Sequence, residues 1–167
     1  MATVLNGSNL AYPMTKMNFL VSVDGLSGTM AAFSEVSGIE ASVDVIEFRQ
    51  GNAHSLAPVK VPGLVKHGNI TLKMGYTIGN SFKKWIQDCV SETRGKMPRK
   101  TVTIELLDIR GESGAPSQEY TATKGSTHWV LKEAWVAKYS GPDLNASASE
   151  IAIETVELAY EELTIPA

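Results

Sequence analysis

The 167-residue sequence has few of the residues that form disulfide bonds or metal sites, and it has no long apolar run. It contains a single cysteine, Cys89, so no intramolecular disulfide can form, and it has no cysteine cluster for structural zinc. Its longest apolar runs, such as residues 30–33, reach four residues, far below the roughly 18 that a membrane-spanning helix needs. These absences exclude a disulfide framework and a transmembrane helix.

Strong positive charge is also missing. Fifteen Lys and Arg against 18 Asp and Glu give a formal net charge of −3. A domain that neutralises many phosphates is usually strongly basic, so nucleic acid is not expected as a dedicated ligand. No Lys or Arg precedes Lys16 and no apolar core of a signal peptide follows the start. We therefore expect synthesis in the cytoplasm without a signal peptide.

Catalytic and cofactor-binding motifs are lacking as well. The three histidines, His54, His67 and His128, have no metal-binding spacing, and the sequence has no nucleophile elbow, Walker motif or dinucleotide fingerprint. Cys89 lies on the apolar stripe of a predicted helix, which favours packing over reactivity. We predict no metal, no cofactor and no enzyme. The enzymatic alternative is an acid/base hydrolase that uses His54 or His128.

What the sequence does contain is alternation of apolar and polar residues, which predicts β-strands. In residues 38–49 the apolar face changes at Val45, which predicts a bulge there or a strand whose two ends bury opposite faces. Residues 149–164 change face after Ile153, and a helix is the less favoured alternative for this segment. The predicted strands cover residues 19–23, 30–36, 38–49, 69–74, 101–109, 129–139 and 149–164.

One helix is predicted after Asn80 or Ser81, either of which can cap its first turn. A single apolar stripe at helical spacing is formed by Phe82, Trp85, Ile86, Cys89 and Val90. Strands with one helix predict a mainly β fold, an antiparallel β-sandwich or barrel with one flanking α-helix. We expect residues 1–16 to form an N-terminal arm and residues 17–167 a single domain, with a long loop at 50–66.

Several short motifs, in order and spacing, resemble those of the inner tail tube proteins of contractile phages and contractile injection systems. The match spans about residues 17–163. The motifs are Phe19 to Gly25, Phe33 to Gly38, Val45 to Gly51, Val59 to Gly63, Asn69 to Gly75 with the following Trp85 helix, Trp129 to Leu131, Ala134 to Asn145, and Ile153 to Glu161.

The resemblance implies a structural subunit of which six copies close a ring, with their strands joined into one ring-wide β-barrel around a lumen. Rings stack into a tube that passes DNA or protein cargo, and the implied partners are a contracting sheath, a baseplate or spike and a terminator. The resemblance also implies that the particle is a phage tail or a tail-like particle and that it can be released from the cell. Residues 50–66 would contact neighbouring subunits, and the apolar N-terminal arm is a further candidate surface. The expected interface residues are Leu5, Leu10, Arg49, His54, Leu56, Val59, Val61 and Pro62.

The composition leaves a second class of function open. A monomeric carbohydrate-binding β-sandwich would use Trp129, Trp135 or Tyr139 as stacking platforms on an exposed face. Apolar residues that cannot all face one core favour the assembling subunit instead, because exposed apolar surface usually marks an interface.

Overall fold

The computed structural model describes residues 16, 19–26, 33–52, 54–76, 81–91, 98–106, 127–147 and 149–166. Residues 1–15, nearly all of the expected N-terminal arm, lie outside this set. Within it the chain forms nine strands and one helix: β1 Phe19–Val23, β2 Phe33–Ser37, β3 Ala41–Phe48, β4 Val59–His67, β5 Ile70–Gly75, α1 Ser81–Val90, β6 Lys100–Leu106, β7 Thr127–Ser140, β8 Ile153–Ala159 and β9 Glu162–Thr164. The predicted mainly β fold with one helix is confirmed.

Seven strands form one antiparallel sheet in the order β1-β6-β7-β8-β5-β2, with β9 also paired to β7. The long strand β7 connects its two halves, because its first part pairs with β6 and β9 and its last part pairs with β8. Between them Glu133 adopts φ 53°, where an extra residue of β7 shifts the pairing with β6. This bulge redirects the strand from one half of the sheet to the other.

The core lies between the two halves of the sheet and the helix. Alternate residues of β5 and β8 point into it and are fully buried, as the period of two along a strand requires. The helix packs on β7, and Trp85 Nε1 donates a hydrogen bond of 2.7 Å to the carbonyl oxygen of Pro98. The most completely buried side chains are Trp85, Ile70, Leu72, Met74, Leu131, Leu158, Glu154, Val102 and Val156.

Four of the five residues on the predicted helical stripe are buried: Phe82, Trp85, Ile86 and Cys89. The fifth, Val90, is 53% exposed and was wrongly assigned to the core. At 100° per residue it lies at the margin of the stripe, and it is the last residue of the helix. Among the described residues, no helix is long and apolar enough to cross a membrane.

The C-terminal segment is a pair of short strands, as the favoured alternative predicted. In β8 the exposed Ile153 is followed by the buried Glu154, Val156 and Leu158, so the change of face after Ile153 is real.

The loop predicted over residues 50–66 is wrong for its second half, because Val59–His67 forms strand β4, paired to β3.

Candidate functional site

Among the described residues, the most exposed regular structure is a hairpin formed by β3 and β4, defined here as residues 41–67. Its strands pair only with each other among the described residues, as a separate two-stranded sheet. The hairpin continues the β2–β5 pair: Ser37 pairs with Thr71, and Ala41 with His67. It is therefore an outgrowth of the body of the protein, which is defined as the seven-stranded sheet and α1.

Two glycines lie at the junction between the body and the hairpin. Gly38 has φ +86°, and a Cβ there would lie 2.5 Å from the carbonyl oxygen of Asn69. A Cβ on Gly68 would meet the side-chain carboxylate of Glu40. At Gly38 the positive φ and the close Asn69 backbone together favour glycine, which has no Cβ to obstruct the bend.

The C-terminal part of the chain fastens this junction. The hydroxyl of Tyr160 donates a hydrogen bond of 3.2 Å to the carbonyl oxygen of Glu40, and its ring lies 5.2 Å from that of His67. Tyr160 is 7% exposed, and burial raises the pKa of its hydroxyl. A core side chain therefore holds the base of both hairpin strands.

A bulge interrupts the hairpin at the predicted position. Val43 pairs with Val65 and Val45 with Pro62, so that Gly63 and Leu64 of β4 lie opposite Asp44 alone. A bulge is present near Val45, but its extra residue lies on β4. The alternation of β3 is therefore unbroken, and the bulge does not account for the change of apolar face in this strand. Such an irregular site on an edge strand also accommodates the proline, which has no N–H to donate.

Both faces of the hairpin are apolar and exposed. Successive residues such as Val45 and Ile46 point to opposite faces, yet they are 61% and 55% exposed. Nine of the sixteen large hydrophobic residues that are exposed in the described part of the chain lie here: Val43, Val45, Ile46, Phe48, Leu56, Val59, Val61, Leu64 and Val65. Apolar surface of this extent on a two-stranded element marks an interaction site.

The residues predicted for the interface divide between the hairpin and the undescribed N-terminus. Arg49, His54 and Leu56 lie in the connection between β3 and β4, defined here as the hairpin tip, residues 49–58, and all three are exposed. Strand β4 carries Val59, Val61 and Pro62, also exposed. Leu5 and Leu10 lie outside the described residues.

Two strand edges offer further hydrogen-bonding surface. In the part of the chain that the structure describes, β1 pairs only with β6 and β2 only with β5, so each has one unpaired edge. A cleft of about 550 Å³ is lined by residues next to both edges, including Phe19, Val36, Ile39 and Trp129. Unpaired edges beside apolar surface are suited to pairing with strands of another chain.

A buried polar cluster lies at the opposite end of the sheet from the hairpin. The carboxylate of Glu154 is 1% exposed; its Oε1 accepts a hydrogen bond of 2.6 Å from Tyr139, and its Oε2 lies 3.3 Å from Nζ of Lys83. The hydrogen bond to Glu154 raises the pKa of Tyr139 to about 12. The Lys83 ammonium also lies 3.3 Å from the centre of the Tyr76 ring. Sequence reasoning missed this cluster, although Glu154 continues the inward alternation of Val156.

The histidines and the cysteine lie apart from one another in the part of the chain that the structure describes. Across the described ranges, no group of three His, Cys, Asp or Glu side chains could hold a metal ion. His54 is exposed on the hairpin tip, His128 is exposed on β7, and His67 lies against Tyr160 at the junction. Burial raises the pKa of the Cys89 thiol, which disfavours the reactive thiolate. What the described residues present is surface for assembly.

The tryptophans proposed as sugar-stacking platforms are engaged with the protein itself. Trp129 and Trp135 pack against the core, and the Arg99 guanidinium lies 4.8 Å from the centre of the Trp135 ring. The even spacing of Trp129 and Trp135 would place both on one face of a regular strand, but the bulge at Glu133 breaks the alternation between them. The carbohydrate-binding alternative therefore loses its principal residues.

Comparisons with known proteins agree with the resemblance seen in the sequence. The family model of the T4-like virus tail tube protein gp19 matches residues 15–164. Comparison of the sequence with curated proteins finds no match.

Three solved structures are similar over nearly their full length. The PVC sheath-tube complex of an extracellular contractile injection system, in its extended state, contains a chain 25% identical, with TM-score 0.72 and coverage of 95% of this chain and 94% of that one. The PVC sheath/tube terminator matches with 26% identity, TM-score 0.70 and coverage of 95% and 99%. The anti-feeding prophage tube terminating cap matches with 25% identity, TM-score 0.73 and full coverage of both chains.

The family match covers most of the sequence, and the fold agrees with it throughout the described residues. The chain therefore belongs to the family of the T4-like virus tail tube protein gp19 and is a structural tube subunit of a contractile phage tail or tail-like particle.

Proposed function

We propose that six copies of this chain close into a ring and that the rings stack helically into a rigid tube around a lumen for DNA or protein cargo. Residues 17–167 act as one tube domain in this proposal. The observation that carries it is the hairpin, a regular two-stranded element with apolar side chains exposed on both faces. Neighbouring copies would cover these apolar side chains, because a tube repeats the same surfaces around and along its axis.

The ring is proposed to close through the unpaired edges of β1 and β2. Edge pairing between copies would satisfy their backbone groups and would join the sheets into one ring-wide barrel. The hairpin then covers neighbouring copies through the predicted interface residues Arg49, His54, Leu56, Val59, Val61 and Pro62. Leu5 and Leu10 of the N-terminal arm are proposed to join the same contacts.

The proposed partners are a contracting sheath, a baseplate or spike and a tube terminator, with the particle released extracellularly. This is supported by the similar chains, which come from a sheath-tube complex and from terminator and cap structures. We propose no enzymatic activity, because a tube wall needs interlocking surfaces rather than a reactive site. The function of the fold in this proposal is to form the wall of a lumen through which cargo passes.

Negative-stain electron microscopy of the purified chain at high concentration tests the proposal. The wild-type protein should form tubes, whereas the double variant Leu56→Asp with Val59→Asp should form none and remain as soluble single copies. Both side chains are exposed, so the substitutions should leave the body folded, as circular dichroism would verify. Unaltered tubes from the double variant would refute the role of the hairpin.

A further inference from the structure

The cleft of about 550 Å³ between the unpaired edges of β1 and β2 is defined here as the edge cleft. Among the described residues, β1 and β2 are the two ends of the strand order, so the cleft lies along the open seam of the sheet. Apolar side chains form its floor: Phe19, Val36, Ile39, Ile104, Leu106 and Trp129. The seam therefore combines apolar surface with backbone groups that the described strands do not pair.

The edge cleft has the chemistry of a site for an extended peptide segment. Its rim on β2 is polar and exposed, with Ser34, Glu35 and Ser37, whereas Val36 between them is partly buried against the core. A segment added beside β2 would pair with the backbone of this strand and would place alternate side chains on the apolar floor. The suitable occupant is an extended stretch with little charge.

The chain itself leads into this cleft. Lys16 lines it and lies three residues before the start of β1 at Phe19. The six residues from Leu10 to Thr15 span at most roughly 20 Å when extended, and the five residues of β2 span about 17 Å, at about 3.3 Å per residue. The segment before Lys16 is therefore long enough to lie along the whole of β2.

The composition of the N-terminal arm, residues 1–16, fits such a site. Residues 1–15 contain no Asp, Glu, Lys, Arg or His, although 20% of the whole chain is charged. Leu10 and Tyr12 are two residues apart and share one side of an extended segment. Pro13 favours an extended conformation for Tyr12, and a proline without an N–H is tolerated in an outermost strand.

Building on the proposed function, we propose that the N-terminal arm of a single copy docks in the edge cleft of its own chain. Leu10 and Tyr12 contact the apolar floor, and the backbone of the arm pairs with the outer edge of β2. The proposed ring closes through this same edge, so the arm must leave before a strand of a neighbouring copy can pair there. The docked arm therefore opposes assembly of single copies.

Attachment to the same chain favours this occupant in dilute protein. A tethered segment of this length has an effective concentration that is roughly millimolar, well above the concentration of neighbouring copies in a dilute solution. In the ring, a neighbouring copy also contributes the contacts of its hairpin, which the arm alone does not make. The arm is then displaced and becomes available for the contacts between copies proposed above.

Disulfide trapping in the full-length chain tests the docked arm. Leu10→Cys is combined with Ser34→Cys or with Ser37→Cys, near the two ends of β2, so that either direction of the arm is sampled. The matched control combines Leu10→Cys with Ser22→Cys, which lies on the face of β1 opposite the buried Val21. Ser22 is six residues after Lys16, so an undocked arm can reach it as well.

The three serines are exposed and Cys89 is buried, so the variants should fold and Cys89 should not compete. In dilute protein under mild oxidation, we expect at least one cleft pair to close about tenfold faster than the control pair. Mass spectrometry of digested single copies measures the rates. The closed copies should form no tubes at the concentration at which the reduced copies do, and a reductant should restore assembly.

Two results would overturn the proposal. One is equal rates of closure for the cleft pairs and the control pair, and the other is tube formation by closed copies as readily as by reduced ones. Failure of the wild-type chain to form tubes would refute the proposed function instead, while the closure rates would still decide whether the arm docks in the cleft.

Discussion

The body and the hairpin contain the same strand-forming residue types, yet their apolar side chains are buried in the body and exposed in the hairpin. Leu72 and Leu158 of the body are 0% exposed, whereas Val43 and Leu64 of the hairpin are 50% and 75% exposed. Both regions are paired antiparallel strands rich in β-branched and aliphatic residues. The difference teaches that alternation specifies a strand, while burial depends on whether a second layer covers it.

The body supplies its own second layer and the hairpin does not. In the body, the helix and the two halves of the sheet cover each other. Beyond the contacts of Tyr160 at the junction, the side-chain support described for the hairpin includes exposed ion pairs, such as Lys66 with Asp44 at 2.7 Å and Lys60 with Glu47 at 3.6 Å. Exposed pairs contribute roughly 0 to 1 kcal/mol, and an isolated two-stranded hairpin is marginal in water.

The largest expected difference between the regions is in the free energy of unfolding of single copies. Leu158→Ala should lower it by about 3 kcal/mol, because a buried cavity replaces the side chain. The matched hairpin variant Leu64→Ala should change it by less than about 0.5 kcal/mol, since this leucine contacts mostly solvent in a single copy. Urea unfolding of dilute protein measures both. Equal losses would show that the hairpin is already packed against its own body.

A smaller effect is expected from the ion pair between Lys83 of α1 and the buried Glu154 of β8. Lys83→Met should lower the free energy of unfolding by about 2 kcal/mol, because it leaves the buried Glu154 carboxylate without its cation. Lys84→Met is the matched control on the exposed side of the same helix and should have little effect. A loss no greater in the Lys83 variant than in the control would show that the pair does not stabilise the body.

The smallest of the three effects concerns Tyr139 and depends on pH. Tyr139→Phe removes the hydrogen bond to Glu154 and should cost about 1 kcal/mol near pH 8. The pKa of Tyr139 is raised to about 12 in the fold, above its ordinary value of 10. The stabilisation is therefore fully present below pH 10 and is lost as the pH rises through 12.

Unfolding of both proteins between pH 8 and pH 12 checks this expectation. The difference in the free energy of unfolding between the wild type and Tyr139→Phe should become smaller above pH 10, because the ionised Tyr139 would then lie beside the Glu154 carboxylate. A gap that stays constant to pH 12 would contradict the hydrogen bond as the cause.

The sequence predicted the elements whose pattern is local. The stripe of α1 and the alternation of β5 and β8 were sufficient, because each contributes one face to the core and these faces are apolar except for Glu154 of β8. Strand β4 was missed because Pro62 and Gly63 interrupt its pattern, and they are compatible with a strand only through the bulge opposite Asp44. The position of that bulge depends on pairing with β3, which no local window contains.

The surfaces for assembly were only partly predictable. Exposed apolar residues such as Leu56 and Val59 signalled an interface, since a single core could not bury them all. The exposure of Leu144 and Ile151 was not predicted, because they are isolated in the connection from β7 to β8 and only the fold brings that connection beside Tyr76. Glu154 was hidden for a similar reason: its partners Lys83 and Tyr139 come from two other elements.

Hydrogen–deuterium exchange of the hairpin, residues 41–67, in single copies and in assembled tubes is the most direct test of whether other copies cover it. The exposed hairpin amides should exchange rapidly in dilute protein and should become strongly protected in tubes, while the core strand β5 is protected in both states. Tubes in which the hairpin exchanges as fast as it does in single copies would contradict the role assigned to it.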